Sequence, residues 1–253
     1  GDSKAVTGEA LARQAVEAAA QGYRWIKFDP FGYSPDGVWK GWPLRGALPS
    51  ETVREICSRV AAVRDAVGGQ MQIILENHCL TEAQSAVTLI RALEGYHIDY
   101  YEEVCTPINH AVWADVRKHT DAGLCTGEKL VTQSGFLPYI VGRTVDMLQP
   151  DLGICGGVSE IMPICAMAEL YDIGVSLHTC HSPISIAASL QVEAVLPNFC
   201  VHEVHKSALL EENIALGSEP LCVKNGKYTL PEGNGIGVEL SDWALRNCER
   251  LVF

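Results

Sequence analysis

One spacing constrains the fold of this chain more than any other sequence feature. Polar residues end short β-rich runs at steps of 26, 26, 23, 27 and 25 residues. These residues are Glu76, Glu102, Glu128, Asp151, His178 and Glu203. Two parallel strands need a crossover of about a dozen residues or more, usually a helix, so each step has room for one strand and one helix. The spacing therefore predicts a series of βα units.

The segments around these residues alternate in the same way. Strands are predicted at residues 25–29, 72–76, 98–102, 124–128, 146–151, 174–178 and 199–203. Amphipathic helices are predicted at residues 8–20, 52–67, 81–93, 112–119, 134–141, 158–171 and 185–195. Parallel strands joined by helices place their carboxyl ends on one face, where a βα barrel builds its active site. The six polar residues are therefore expected to converge.

Two parallel-sheet architectures are compatible with this alternation. A doubly wound open sheet would normally carry a glycine-rich phosphate turn after its first strand, and FGYS at 31–34 is no such turn. We therefore predict an α/β fold with a TIM-like (β/α) barrel over residues 1–253, whose segment 215–253 packs back on the barrel or on a missing cap. The loop 30–49 is expected on the active-site face, where Trp39 and Trp42 either close over substrate or pack against a neighbouring subunit or domain.

Composition excludes several function classes. The chain has 19 basic and 31 acidic residues, a net charge of −12, which argues against nucleic-acid binding. Its apolar runs are much shorter than the roughly 20 residues of a membrane span. The 10 cysteines include no C-x-x-C pair and are expected to be small buried hydrophobes in a reducing cytoplasm, without an activating base.

Glu76, Glu102 and Glu128 occupy equivalent positions of consecutive units. Like charges packed together are costly unless a cation neutralises them. Carboxylate oxygens suit Mg²⁺, whereas Zn²⁺ prefers His or Cys among its ligands. The trio therefore predicts a magnesium site, the alternative being solvated carboxylates or a pair with Lys129.

Asp151 and His178 end the next two strands, so the carboxylate could orient the imidazole as a general base. His78 lies two residues beyond Glu76 and is expected to face the pocket, where it could protonate a leaving group. Lys27 and Asp29 share one face of the first strand and could contact a hydroxylated substrate. A structural ion pair is an equal alternative for Lys27.

Several motifs carry a resemblance to a known family. They are IKFD at 26–29, LENH at 75–78, YEE at 101–103, TGEKL at 126–130, LQPD at 148–151, GGVSE at 156–160, SLH at 176–178, AASL at 187–190 and GIGVE at 235–239. With these motifs the chain resembles the enolase superfamily. Within it, the chain is similar to the mandelate racemase branch and to acid-sugar dehydratases of the galactonate dehydratase type.

The resemblance implies a Mg²⁺-dependent hydro-lyase that converts a sugar acid into a 2-keto-3-deoxy acid. It implies Mg²⁺ on the three glutamates, the His178 and Asp151 dyad as base, His78 as acid, and Glu203 as a hydrogen-bonding group beside the substrate carboxylate. The partners expected are the small acid-sugar substrate, further copies in a homo-oligomer and an N-terminal capping domain. The alternatives are a racemase or epimerase of an α-hydroxy acid, and a non-catalytic barrel that only binds metal or acids.

Three features depart from the family pattern. The racemases carry Lys-x-Lys where this chain has Lys27 and Asp29, so the second base of a racemase is missing. Glu76 stands where Asp is commoner, which lengthens one metal-ligand arm. The capping domain and first barrel strand of the family are not found before Gly1.

Overall fold

The computed structural model describes residues 7–31, 46–180 and 182–249. Six parallel strands form one sheet in the order β1-β2-β3-β4-β5-β6. The strands are β1 Trp25–Phe28, β2 Gln72–Glu76, β3 Tyr100–Glu102, β4 Leu124–Thr126, β5 Met147–Leu148 and β6 Gly174–Val175. The helices are α1 Gly8–Ala20, α2 Ser50–Val67, α3 Ala83–Leu93, α4 His110–Arg117, α5 Thr132–Val141, α6 Leu152–Cys155, α7 Val158–Leu170, α8 Pro183–Glu193, α9 Glu211–Ile214 and α10 Asp242–Asn247. Short 3₁₀ turns lie at Gly68–Gln70, Glu94–Tyr96 and Lys206–Leu209.

Strands β2 to β5 are largely buried on both faces. Ile73 and Leu75 of β2 belong to the main core with the apolar faces of the helices, whereas Ile74 packs with Cys125 and Met147 in a separate inner cluster. Successive side chains of a strand alternate between faces, so Glu76 projects on the same inner side as Ile74. The side chain of Glu76 therefore lies on the inner face of the sheet, at the carboxyl end of β2.

The sheet curls, because its two ends are in contact. Lys27 on β1 forms an ion pair with Glu203, which lies beyond β6. On the outside, Gln191 Nε2 of α8 donates to Pro231 O at 2.8 Å. A Cβ on Gly226, whose φ is +69°, would meet Gly22 O at 2.2 Å, so this approach of the carboxyl-terminal segment to the turn before β1 requires glycine. The predicted parallel α/β fold is confirmed as a curled, half-barrel sheet.

The predicted strand at 199–203 is wrong, and every strand except β2 is shorter than predicted; β4 ends at Thr126, two residues before Glu128. Only an isolated bridge joins Val175 to Phe199. Past that bridge, Glu203 O accepts from Thr179 Oγ1 at 2.5 Å. This side-chain hydrogen bond stands where a strand would use a backbone ladder.

Some predictions fall on residues outside the described ranges. Residues 32–45 of the predicted loop, with Trp39 and Trp42, lie there, as does His181. The 10 cysteines are free thiols, but Cys200, Cys222 and Cys248 are exposed, so the expectation of burial is wrong for these three. Within the described ranges, the helices lack the combination of length and apolar character that a membrane crossing needs.

Candidate active site

The three predicted metal ligands converge. Glu76 and Glu102 end adjacent strands and are register partners, and Glu128 follows β4 by two residues. Glu76 is 3% exposed and Glu102 is 1% exposed. One carboxylate oxygen from each of the three residues lies within 4.8 Å of the other two. The strand ends thus hold three carboxylates close enough to share one ion.

Lys27 supplies a positive charge to this cluster. Its Nζ lies 2.7 Å from Glu102 Oε1 and 3.8 Å from Glu76 Oε2. It also forms an ion pair with Glu203. The ion pair, one of the two alternatives for Lys27, is therefore present, and a contact of Lys27 with substrate stays a prediction.

The buried charges shift one another's pKa values. For Glu76, burial and the neighbouring charge of Glu102 raise the pKa well above its usual range. For Glu102, burial opposes ionisation, but the charge of Lys27 and the hydrogen bonds that the carboxylate accepts together outweigh it and lower the pKa to about 2. Burial likewise works against the charged form of Lys27, yet the surrounding glutamates raise its pKa well above the usual range. These shifts follow from several charges sharing one dry site.

The donor set fits a hard divalent cation. All three residues offer carboxylate oxygens, which Mg²⁺ prefers. Lys27 is one positive charge against Glu76, Glu102 and Glu203 in contact with it, so negative charge remains for an ion to neutralise. Glu76, Glu102 and Glu128 are thus the residues of this site that could hold Mg²⁺.

The predicted dyad is formed. His178 Nδ1 lies 2.7 Å from Asp151 Oδ2, and these two residues are joined by a parallel bridge. The other ring nitrogen, Nε2, lies 3.3 Å from Glu128 Oε2. Burial is the largest single influence and disfavours the imidazolium, but the hydrogen bonds to Asp151 and Cys180 and the charge of Glu203 together outweigh it and raise the pKa of His178 to about 10. Asp151 also caps α6, since its Oδ1 accepts from Gly153 N at 2.7 Å.

His78 and Asp29 form a second pair at the opposite end of the sheet. His78 Nδ1 lies 2.9 Å from Asp29 Oδ2. The backbone N of His78 donates to Glu76 Oε1 at 2.6 Å, and its φ of 47° is left-handed rather than extended. His78 is thereby fixed beside the carboxylate cluster with 45% of its side chain exposed.

Glu203 lies between Lys27 and the segment after β6. One carboxylate oxygen pairs with Lys27, and the other accepts from Thr179 N at 3.0 Å. The glutamate is thus oriented from two sides. Its position completes the contact between the two ends of the curled sheet.

Of two residues that support the carboxylates, sequence reasoning missed Gln149 and named Lys129 as an alternative partner. Gln149 Nε2 donates to Glu102 Oε2 at 2.5 Å. Lys129 forms an ion pair with Glu128 and lies 2.9 Å from Glu103 Oε2. The TGEKL motif points to Lys129, but nothing local in the sequence indicates the bond between Gln149 and Glu102.

The expectation for Cys180 is wrong. It is not a core-packing thiol without a nearby base, because it lies half-buried beside the dyad and hydrogen-bonds His178. A signal existed in the sequence, since Cys180 follows His178 by two residues at a predicted strand end.

Comparisons with known proteins agree with this geometry. A family model described as enolase C-terminal domain-like matches residues 10–244. The chain is 32% identical over 240 residues to a D-gluconate dehydratase of Thermoproteus tenax, covering 94% of this chain and 46% of that protein. It is 31% identical over 238 residues to a D-xylonate dehydratase of Haloferax volcanii, covering 92% and 56%.

A solved structure gives the same result for the fold. A member of the enolase superfamily from Salmonella Typhimurium superposes with a TM-score of 0.93 at 37% identity, covering 96% of this chain and 62% of that one. These matches confirm the predicted resemblance and the barrel type. The chain spans about half the length of the two dehydratases.

Proposed function

We propose that this chain, which belongs to the enolase C-terminal domain-like family, acts as a Mg²⁺-dependent dehydratase of sugar acids. The reaction would remove water from an aldonate or aldarate to give a 2-keto-3-deoxy acid. The observation that carries the proposal is the contact between the dyad and the carboxylate trio, where His178 Nε2 lies 3.3 Å from Glu128 Oε2. A proton acceptor and an acidic metal site are thus side by side.

His178 would be the base. With Asp151 on Nδ1, the imidazole is fixed in orientation, and Nε2 is the atom available to take the proton from the carbon next to the substrate carboxylate. In its neutral form Nε2 carries the lone pair for that proton. Asp151 then stabilises the imidazolium that results.

Glu76, Glu102 and Glu128 would hold Mg²⁺. When bound, the ion would supply positive charge that stabilises the enediolate developing as the proton leaves. Lys27 and Glu203 would bind the substrate beside this charge. Their mutual ion pair fixes both side chains before substrate arrives.

His78 would protonate the β-hydroxyl as it leaves. Asp29 Oδ2 accepts a hydrogen bond from His78 Nδ1, which orients the ring. The exposed part of the ring gives a substrate access to it. Asp29 therefore supports the acid rather than contacting the substrate alone.

Dehydration is favoured over racemisation by the state of Lys27. A racemase needs a base on each face of the substrate carbon. Lys27 is paired with carboxylates, which favour its protonated form, and Asp29 stands where the racemases carry their second lysine, so neither position offers a lysine base. The alternative of a barrel that only binds metal or acids is decided by the assay below.

The domain and assembly predictions stay proposals. We propose that residues 215–253 belong to the barrel domain. Leu221 and Val238 of this segment pack in one cluster with Ile186 and Ala187 of α8, which supports the assignment. A capping domain and a homo-oligomer are proposed from the resemblance alone.

A panel of sugar acids tests the function. Each acid is incubated with the chain and Mg²⁺ in deuterated water, and both 2-keto product and deuterium at the α-carbon of recovered substrate are measured. We expect Mg²⁺-dependent product from at least one acid, loss of α-exchange in H178N, and retention in the control H119N, which changes an exposed histidine after α4. Exchange at the wild-type rate in H178N, or no turnover of any acid, would contradict the proposal.

A further inference from the structure

A second group of possible metal ligands lies beside the carboxylate trio. Asp151, His178 and Cys180 each offer one ligand atom, and the three atoms lie within 4.8 Å of one another. Their donors are oxygen, nitrogen and sulfur. Zn²⁺ binds this combination well, whereas Mg²⁺ selects oxygen.

We propose that Asp151, His178 and Cys180 form a site for Zn²⁺, and that Zn²⁺ bound there inhibits the enzyme. The site is separate in chemistry from the carboxylate trio. Its existence does not depend on the proposed reaction, but the inhibition rests on the proposed role of His178 as base.

The hydrogen bonds of the dyad give the ion a defined position. Gly153 N holds Asp151 Oδ1, and Asp151 Oδ2 is directed at His178 Nδ1, 2.7 Å away. An ion ligated by Oδ2 and Nδ1 would replace the proton between them, with a modest widening of the pair. Cys180 is half-buried, so its side of the cluster gives solvent access, while Asp151 is fully buried.

An independent contact supports ligation through Nδ1. Histidines that bind metals usually donate their other ring N–H to a carboxylate, which fixes the tautomer. His178 Nε2 lies 3.3 Å from Glu128 Oε2, so that second nitrogen already faces a carboxylate. The arrangement of carboxylate, histidine and metal would thus be complete without rearranging Glu128.

The consequence for catalysis follows from proton balance. From the imidazolium form of His178, Zn²⁺ binding would release the Nδ1 proton and the proton of Cys180 Sγ to solvent, with no change in oxidation state. From the neutral form, only the Cys180 proton would be released, and the ring hydrogen would move from Nδ1 to Nε2. Nδ1 would then be bound to the ion, and Nε2 would carry the remaining hydrogen. A ring in this state has no lone pair left to accept a substrate proton.

Cobalt tests the site directly, because Co²⁺ bound to a thiolate has a sulfur-to-metal charge-transfer band in the near ultraviolet. With excess Mg²⁺ present, one equivalent of Co²⁺ should give this band in the wild type, and Zn²⁺ should remove it. The band should be lost in C180S and in C180A, and kept in the control C200S, which changes an exposed thiol. Absence of the band in the wild type, or its survival in both Cys180 variants, would overturn the site.

Inhibition is measured separately, as the ratio of rates with and without Zn²⁺ within each protein. Loss of a ligand should raise the half-inhibitory Zn²⁺ concentration by about tenfold or more in C180S, since even indirect partners of a metal are worth about 10–100-fold. An unchanged value in C180S would overturn the inhibitory role. A cobalt band in a protein that turns over no sugar acid would support the site and refute the proposed function.

Discussion

Two pairs of side chains at the carboxyl ends of the strands differ in charge. Glu76 lies beside Glu102 across β2 and β3, and Asp151 lies beside His178 across the bridge that follows β5 and β6. The first pair is repulsive and is held by Lys27, whereas the second is attractive and satisfies itself through one hydrogen bond. The carboxylate side, formed by Glu76, Glu102 and Glu128, therefore needs a cation. The dyad side, formed by Asp151 and His178, does not.

This difference suggests a division of labour. Buried like charges raise the free energy of the folded state unless a cation compensates for them. A cluster of this kind therefore favours the binding of an added cation. An attractive pair instead sets the orientation and proton affinity of one group, which suits a base.

His78→Gln should have the largest effect on the overall reaction. It removes the proposed acid beside the carboxylate side but leaves the dyad intact. A positioned acid contributes roughly 10²- to 10⁴-fold, so dehydration should fall by that factor while α-exchange persists. The measurement is α-deuterium in recovered substrate against keto product. Dehydration at the wild-type rate would show that His78 only lines the pocket.

Lys27→Met should remove the positive charge that compensates the buried glutamates on the carboxylate side. Without Lys27, the buried glutamates lose their internal counter-charge, and the metal-free protein should lose about 3 kcal/mol of unfolding free energy. Mg²⁺ should restore more stability in K27M than in the wild type. Denaturant titrations with and without Mg²⁺ check this, with K118M, which changes an exposed lysine just after α4, as control. Equal Mg²⁺ effects in K27M and wild type would contradict the account.

Mg²⁺ bound to the carboxylate side should change the pKa of His178 on the dyad side. Without metal, burial opposes the imidazolium, but the hydrogen bonds to Asp151 and Cys180 and the charge of Glu203 together outweigh it and raise this pKa to about 10. A divalent cation beside Glu128 repels the imidazolium, so Mg²⁺ should lower the pKa by about one unit or more. The neutral base then forms at lower pH. An NMR titration of the histidine rings measures the change, and exposed His119 should not shift.

The carboxylate side was also the more predictable from sequence. β2 has the predicted bounds 72–76, and Glu102 ends β3 as expected, because regular alternation continues to the last residue of each strand. On the dyad side, Asp151 and His178 lie beyond strands that end at Leu148 and Val175.

Side-chain bonds explain that difference. Asp151 caps the short helix α6, and Thr179 bonds Glu203, so hydrogen bonds outside the ladder fix this region. The period of the sequence predicted which residues converge. It could not predict the contact of Gln149 with Glu102, because that contact joins residues 47 positions apart.

The central claim is that Mg²⁺ binding and proton transfer belong to different sides of one site. Glu128 and His178 are in contact, at 3.3 Å, yet are assigned to opposite sides. Calorimetric titration with Mg²⁺ compares E128Q with H178N, and E169Q on the exposed surface of α7 is the control. We predict an affinity loss of about tenfold or more in E128Q, since it removes a charged ligand, and wild-type affinity in H178N. Wild-type affinity in E128Q, or an equal loss in both variants, would contradict the claim.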